Sequence, residues 1–188
     1  EQELASWCIG AGAVRTLDVG TCNGRRFVMV AGFGYDAHVA GRVPAVTKQA
    51  LGKYAYHLQA AYDYLMYKPP KLRVRIDSGE WIEGTFALVA NLRRYGGDLF
   101  FAEDARADDG LLNLVLFRDF SACSILRGVG GAWLRRGVPE TVAERRSGRV
   151  FQIQAEPCVP HQLDGEVLPA IGVAEIGVVP AGLNLIAP

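Results

Sequence analysis

The chain carries no excess charge of either sign, since 20 Lys and Arg balance 20 Asp and Glu. That excludes the broad basic field of a nucleic-acid binder, so no nucleic-acid partner is expected. No apolar run approaches the ~20 residues that a membrane-crossing helix needs, and no signal peptide is read at the start. Only four cysteines occur, Cys8, Cys22, Cys123 and Cys158; none forms a CxxC pair or lies at zinc-ligand spacing from a histidine. They read as small buried hydrophobes of a reducing compartment. His38, His57 and His161 are scattered without a triad partner and read as structural or surface residues. No Walker A motif is present, and no GxGxxG opens a helix after a strand. Tyr95-Gly96-Gly97-Asp98 is a candidate phosphate nest, and equally a glycine-rich turn between strands.

What is present fits one large domain. A chain of 188 residues can bury about 70% of its unfolded surface. Its 22 glycines and 9 prolines suit a fold with many turns. Residues 3 to 11 read as a short helix. Val14 to Val19 and Phe27 to Val30 read as strands joined at Cys22-Asn23-Gly24, a strong hairpin signal. Gly32-Phe33-Gly34-Tyr35-Asp36 breaks the pattern. Residues 48 to 67 read as a helix with Tyr54, Leu58, Ala61 and Leu65 on its buried stripe, stopped by Pro69-Pro70. Its five tyrosines line core and interface, or wall an apolar ligand. Leu72, Val74 and Ile76 alternate with arginines in a one-sided strand; Trp81 to Ala90 reads as a central one. A second helix is expected over 121 to 136, with Ile125, Val129 and Trp133 on one side and three weakening glycines. Ala174 to Val179 and Leu183 to Ile186 form a final pair joined by Pro180-Ala181-Gly182. About ten or more short strands with two or three inserted helices make a mainly β chain, a β-sandwich.

Two acidic turns stand out. Gln162-Leu163-Asp164-Gly165-Glu166 sets carboxylates on both sides of a glycine. On an extended segment residues two apart point the same way, so Asp164 and Glu166 converge if the glycine does not reverse the chain. Neighbouring carboxylates push their pKa values apart, which makes one a candidate general base. Arg106-Ala107-Asp108-Asp109-Gly110-Leu111 can aim a carboxylate and carbonyls at a hard cation such as Mg²⁺. Both Asp-Gly pairs are also ordinary turn sequences. Arg135-Arg136 and Arg145-Arg146 form a solvated basic face or a contact for anionic lipid.

Four stretches in this order resemble the C-terminal domain of the diacylglycerol kinase and sphingosine kinase-type lipid kinases. They are Leu17-Asp18-Val19-Gly20 with Ala31 to Ala37; Asn91 to Ala105 with Tyr95-Gly96-Gly97; Asp108 to Leu112; and Gln162 to Glu166, followed by Val179-Pro180-Ala181-Gly182-Leu183. The resemblance implies a β-sandwich facing an N-terminal ATP-binding domain. It implies Glu166 as the base of the Asp-Gly-Glu motif and Asp164 as its orienter or a catalytic Mg²⁺ ligand. It further implies a structural Mg²⁺ at the Asp109 carboxylate and the backbone oxygens of Arg106 and Leu111. Asp98 stands where many relatives carry a third glycine, and Glu103 where they carry a proline. No GGDGT nucleotide segment occurs in the chain.

The expected function is therefore the substrate-side domain, residues 1–188, of a kinase that moves the γ-phosphoryl group of ATP to a lipid hydroxyl such as that of diacylglycerol. The chain alone, which begins at Glu1 as a fragment of a longer protein, is expected to be inactive. A cytoplasmic site, peripheral at the inner membrane face, goes with that reading, and a homodimer is a candidate assembly. The alternatives are a non-catalytic module that binds anionic lipid or a protein through Arg135 to Arg146, and a β-sandwich glycoside hydrolase using Asp164 and Glu166.

Overall fold

A computed structural model describes residues 10, 12–44, 47, 49, 52, 54–96 and 99–187. The elements run β1 (Ala13–Cys22), β2 (Arg25–Phe27), β3 (Val30–Phe33), α1 (Tyr35–Arg42), α2 (Tyr54–Tyr64), β4 (Lys71–Ile76), β5 (Trp81–Gly84), β6 (Phe86–Ala90), β7 (Arg94–Tyr95), β8 (Leu99–Phe100), β9 (Leu112–Phe117), α3 (Ala122–Trp133), β10 (Ala143–Gly148), β11 (Val150–Leu163) and β12 (Glu166–Ala187). One antiparallel sheet takes the order β10-β9-β6-β3-β11-β12-β1-β2, while β7 and β8 pair separately. The long β11 belongs to two layers, because residues 151–156 pair with β4 and residues 161–163 with β3.

Period-two patterning builds the core between those layers. Leu112, Leu114 and Leu116 of β9 and Val89 of β6 meet Leu72 and Val74 of β4 and Phe151 of β11. The alternate residues, Val115 and Phe117 with Phe86 and Leu88, face the other way and pack under the helices. So β6 and β9 are covered on both faces, which is why β6 is apolar throughout. The β1–β2 hairpin turns at Asn23-Gly24, both at positive φ (47° and 82°). These features agree with a β-sandwich carrying three helices among the described residues.

Several local expectations are corrected. Residues 81 to 90 are two strands: the chain bends at Gly84, where an added Cβ would lie 2.6 Å from Leu116 and from the Phe117 carbonyl. That approach lets β5 pair in one layer and β6 in the other. Residues 166–187 form one continuous strand, and Pro180-Ala181-Gly182 is a bulge within it, Ala181 having φ 55°. The break after Gly32 contains a helix, α1. The expected stripe of α2 faces outward, with Tyr54, Leu58 and Leu65 exposed and Ala55 and Asp63 buried instead. On α3 the buried face is Ser124, Gly128 and Ala132, while Trp133 is exposed. Gly128 sits against the Phe117 ring, so its small size serves packing. Cys22 is buried as expected, but Cys123 and Cys158 are exposed. Residues 3–9 and 11, Cys8 among them, lie outside the described residues.

Candidate functional site

β11 and β12 are joined by a two-residue turn. Leu163 lies opposite Glu166, and Asp164 and Gly165 take φ 51° and 90°. The chain therefore reverses between the carboxylates, and they diverge. Asp164, itself exposed, reaches over the β2–β3 link, where it accepts backbone N–H groups from Val28 (2.7 Å), Met29 (2.7 Å) and Val30 (2.9 Å). Its own N–H donates to the Val30 carbonyl. Three charge-assisted bonds fix the turn. Glu166 points the other way. Its side chain is 71% exposed, with Arg25 Nη2 at 3.6 Å, a loose pair that leaves the carboxylate accessible.

A second clamp holds the turn from behind. The amide of Gln162, fully buried, donates from Nε2 to Asp36 Oδ2 (2.8 Å) and accepts the Gly165 N–H at Oε1 (2.6 Å). Asp36 Oδ2 also accepts the Tyr95 hydroxyl at 3.1 Å. The pair fills the space above Gly32, where a Cβ would lie 2.1 Å from Asp36 Oδ2. Burial pushes Asp36 up to about 6, against the two hydrogen bonds that favour its charged form. The same burial, with Asp36 alongside, raises Tyr95, which stays a donor.

This shift has a testable sign. Between its ordinary pKa of 3.8 and about 6, the folded state holds a proton on Asp36 that the unfolded state has released. The Asp36 contribution to stability therefore falls as pH rises through that window and is level above it. Relative to Asp36→Asn, the wild type is expected to lose about 1–2 kcal/mol from pH 4 to 7, allowing for the part of the residue that solvent still reaches. Urea denaturation at a series of pH values checks this, and parallel stability curves for the two proteins contradict it.

Asp36 and Tyr95 also stand at the polar end of an apolar cavity of about 140 Å³, lined by Val39, Ala60, Leu88, Ile125 and Val129 among others. Tyr56 lines it too, while Tyr64 and Tyr67 pack on Phe120. Of the five tyrosines, Tyr56 thus borders this apolar cavity, and Tyr54 and Tyr62 are exposed.

The other acidic turn is built by Asp18, a buried carboxyl side chain in β1. Its carboxylate accepts the Gly110 N–H (2.7 Å) and the Ala181 N–H (2.9 Å), and its own N–H donates to the Ala107 carbonyl. Asp109 is exposed and accepts the Leu111 N–H at 3.0 Å, while Asp108 pairs with Arg106. No group of three His, Cys, Asp or Glu suited to a metal occurs among the described residues. The donors expected here, one carboxylate with the carbonyls of Arg106 and Leu111, are nonetheless all oxygen. That set fits Mg²⁺, which keeps most of its waters.

An open depression of about 590 Å³ lies beside the Arg106–Asp108 turn; Leu17, Met29, Arg93, Arg94, Arg106 and Asp108 line part of it. It reaches Met29, whose amide holds Asp164, though Glu166 is not in its lining. The basic face expected over Arg135 to Arg146 divides. Arg145 is paired with Glu103 and Asp104, and Arg146 with Glu144. Glu103 thus has an ion-pair role, while Gly97 and Asp98 of the candidate nest lie outside the described residues. His38 pairs with buried Asp63, and His161 stacks on Phe33; burial lowers both pKa values.

The local sequence assigns no role to Asp18, Asp36 or Gln162, and it offers Tyr95 for a phosphate nest, whereas its hydroxyl donates to Asp36. A signal was available for one of them: aspartate is disfavoured inside strands, and Asp18 lies within β1, whereas Asp36 stands in the first turn of α1, an ordinary place for an acidic residue.

The fold has counterparts among known proteins. The family model described as "YegS C-terminal NAD kinase beta sandwich-like domain" matches residues 29–187. A "Probable lipid kinase YegS-like" from Chromohalobacter salexigens is 30% identical over 155 residues, covering 81% of this chain and 49% of that protein. A diacylglycerol kinase from Bacillus subtilis is 27% identical over 118 residues, covering 62% of this chain and 39% of that one. The crystal structure of a diacylglycerol kinase from Bacillus anthracis superposes with a TM-score of 0.74 at 20% identity, covering 98% of this chain and 60% of the other, and so shares the fold. The chain thus spans about half the length of the curated relatives it matches.

Proposed function

The chain belongs to the family of YegS C-terminal, NAD kinase-like β-sandwich domains, and we propose that it is the substrate-side domain of an ATP-dependent lipid kinase with a diacylglycerol-type acceptor. The observation that carries this reading is the mounting of Glu166: an accessible carboxylate on a turn clamped by Asp164 on one side and Gln162 on the other. General-base work needs that combination of rigidity and access. In the intact enzyme Glu166 takes the proton of the lipid hydroxyl while that oxygen attacks the γ-phosphorus, and the bond from phosphorus to the β,γ-bridging oxygen breaks to release ADP. Asp164 acts as a positioning residue, since its carboxylate is engaged by three amides.

The apolar cavity beside Asp36 supports an acceptor with a hydrocarbon tail. The open depression with its arginines supports an anionic face, the triphosphate of a nucleotide held by a domain outside this chain. Mg²⁺ at Asp109, Arg106 and Leu111 would supply fixed positive charge to the turn that Asp18 organises. Positioning and electrostatics do the rest, as in phosphoryl transfer generally.

The 188-residue chain alone is expected to give no ATP-dependent phosphorylation of diacylglycerol in mixed micelles. A protein that joins it to a nucleotide-binding domain turns over in the same assay. Turnover by the isolated chain, or none by the joined protein, overturns the proposal.

A further inference from the structure

Glu166 is mounted from two sides, and the two sides have different surroundings. Asp164, itself exposed, holds the turn through the Val28, Met29 and Val30 amides. Gln162 holds it from the interior. Its amide is fully buried and engaged at both ends, Nε2 donating to Asp36 Oδ2 at 2.8 Å and Oε1 accepting the Gly165 N–H at 2.6 Å. A primary amide is planar, so a shift at its nitrogen turns its oxygen as well. What moves Asp36 therefore moves Gly165, the residue before Glu166.

Asp36 belongs to the apolar cavity as well as to this link. With Tyr95 it lines the cavity, and the Tyr95 hydroxyl donates to the same oxygen, Asp36 Oδ2, at 3.1 Å. The rest of the lining is hydrocarbon and aromatic rings, Val39, Leu88, Phe101 and Val129 among them. A cavity of about 140 Å³ holds a group about the size of benzene, so it takes a stretch of one hydrocarbon chain.

Filling the cavity changes the bonds at its polar end. Hydrocarbon against Asp36 excludes water that competes for the carboxyl, and in the lower local dielectric its bonds to Gln162 and Tyr95 strengthen. The packing leaves little slack for that change to be lost. At Gly32, which lies opposite Gln162 in the β3–β11 pairing, an added Cβ would stand 2.1 Å from Asp36 Oδ2 and 2.7 Å from Gln162 Nε2. Both polar groups thus occupy the space that a side chain there would take. At the far end of the link, the Glu166 carboxylate is held only loosely by Arg25 at 3.6 Å, so its aim depends on the turn.

We propose that Tyr95, Asp36 and Gln162 are positioning residues that couple occupation of the apolar cavity to the aim of Glu166. A hydrocarbon tail in the cavity tightens the hydrogen bonds that run from Tyr95 through Asp36 and Gln162 to Gly165, and so sets the base. The cavity then selects acceptors in the rate of the chemical step as well as in binding, because energy from the remote tail goes into orientation at the reacting end. An acceptor too short to enter the cavity meets a base that is less well placed. The inference rests on the reading of Glu166 as the base, yet the link itself is measured on the chain without turnover.

The test has two arms. In the chain alone, exchange of the Gly165 N–H is followed by NMR with and without octanol as a single-chain apolar probe. Bound octanol is expected to slow that exchange about 5-fold or more, the lower end of ordinary coupling between sites. Asp36→Asn should respond in the same way, since it keeps an acceptor oxygen for Gln162 and Tyr95. Asp36→Ala should still bind octanol, its cavity being more apolar, without the change in exchange. In a protein joined to a nucleotide-binding domain, kcat with dioctanoylglycerol should exceed that with diacetylglycerol roughly 10-fold. Gln162→Met should remove that advantage in kcat and leave the longer acceptor its lower KM. The wild-type results stand whether or not a variant folds. Octanol that does not bind, Gly165 exchange that bound octanol leaves unchanged, or an Asp36→Ala response equal to that of the wild type overturns the proposal. A tail-length effect confined to KM overturns it with the kinase reading intact. No turnover of either acceptor by any joined protein sinks the kinase reading, and the exchange result then decides the link by itself.

Discussion

Asp164→Ala is expected to lower the stability of the domain by about 3 kcal/mol. Three backbone amides lose a charged acceptor, and such bonds are worth roughly 1.5–3 kcal/mol each before water replaces part of the loss. Alanine at φ 51° adds strain of about 1 kcal/mol. Urea denaturation measures the total. Amide hydrogen exchange locates it, because the N–H groups of Val28, Met29 and Val30 should exchange faster than those of β9. A change below about 0.5 kcal/mol, the range of an ordinary surface substitution, would mean that the clamp does not hold the turn.

Glu166→Gln has the opposite profile. Its side chain is exposed and its pair with Arg25 is loose, so the fold is expected to melt as the wild type does. In the intact enzyme the rate of lipid phosphorylation should fall about 10²–10⁴-fold, the usual contribution of a positioned general base, with the KM for lipid little changed. The loss should appear in kcat and kcat/KM alike, because proton acceptance is felt only in the transition state. Wild-type rates would remove Glu166 from the mechanism; loss of rate together with loss of the fold would make it a structural residue.

These opposite outcomes show what could be read from the chain and what could not. Asp-Gly at 164–165 and Asn-Gly at 23–24 were legible as two-residue turns because positive φ at consecutive positions is a local demand. Strand periodicity was legible in β4, where arginines alternate with Leu72, Val74 and Ile76. The division of labour between Asp164 and Glu166 was not, since it depends on amides 134 to 136 residues away. The Asp36–Gln162 clamp spans 126 residues, and the Asp18 bond to Gly110 spans 92.

The helices misled for another reason. Periodicity identifies an apolar stripe but not which way it faces, and here small residues on α3 and Ala55 with Asp63 on α2 take the inner side. Pro180-Ala181-Gly182 carries the composition of a hairpin, yet Asp18 accepts the Ala181 N–H and keeps both halves of β12 paired with β1. Helix α1 is only eight residues long and follows Gly32 and Gly34, so glycine punctuation hid it.

The most direct measurement is a structure of the intact enzyme with a non-hydrolysable ATP analogue and a diacylglycerol analogue bound together. The account predicts the acceptor hydroxyl within about 2.6–3.2 Å of a Glu166 carboxylate oxygen, the turn still clamped by the Val28 to Val30 amides, and the tail in the cavity below α2 and α3. An acceptor hydroxyl seated against another base, with Glu166 left facing solvent, would contradict it.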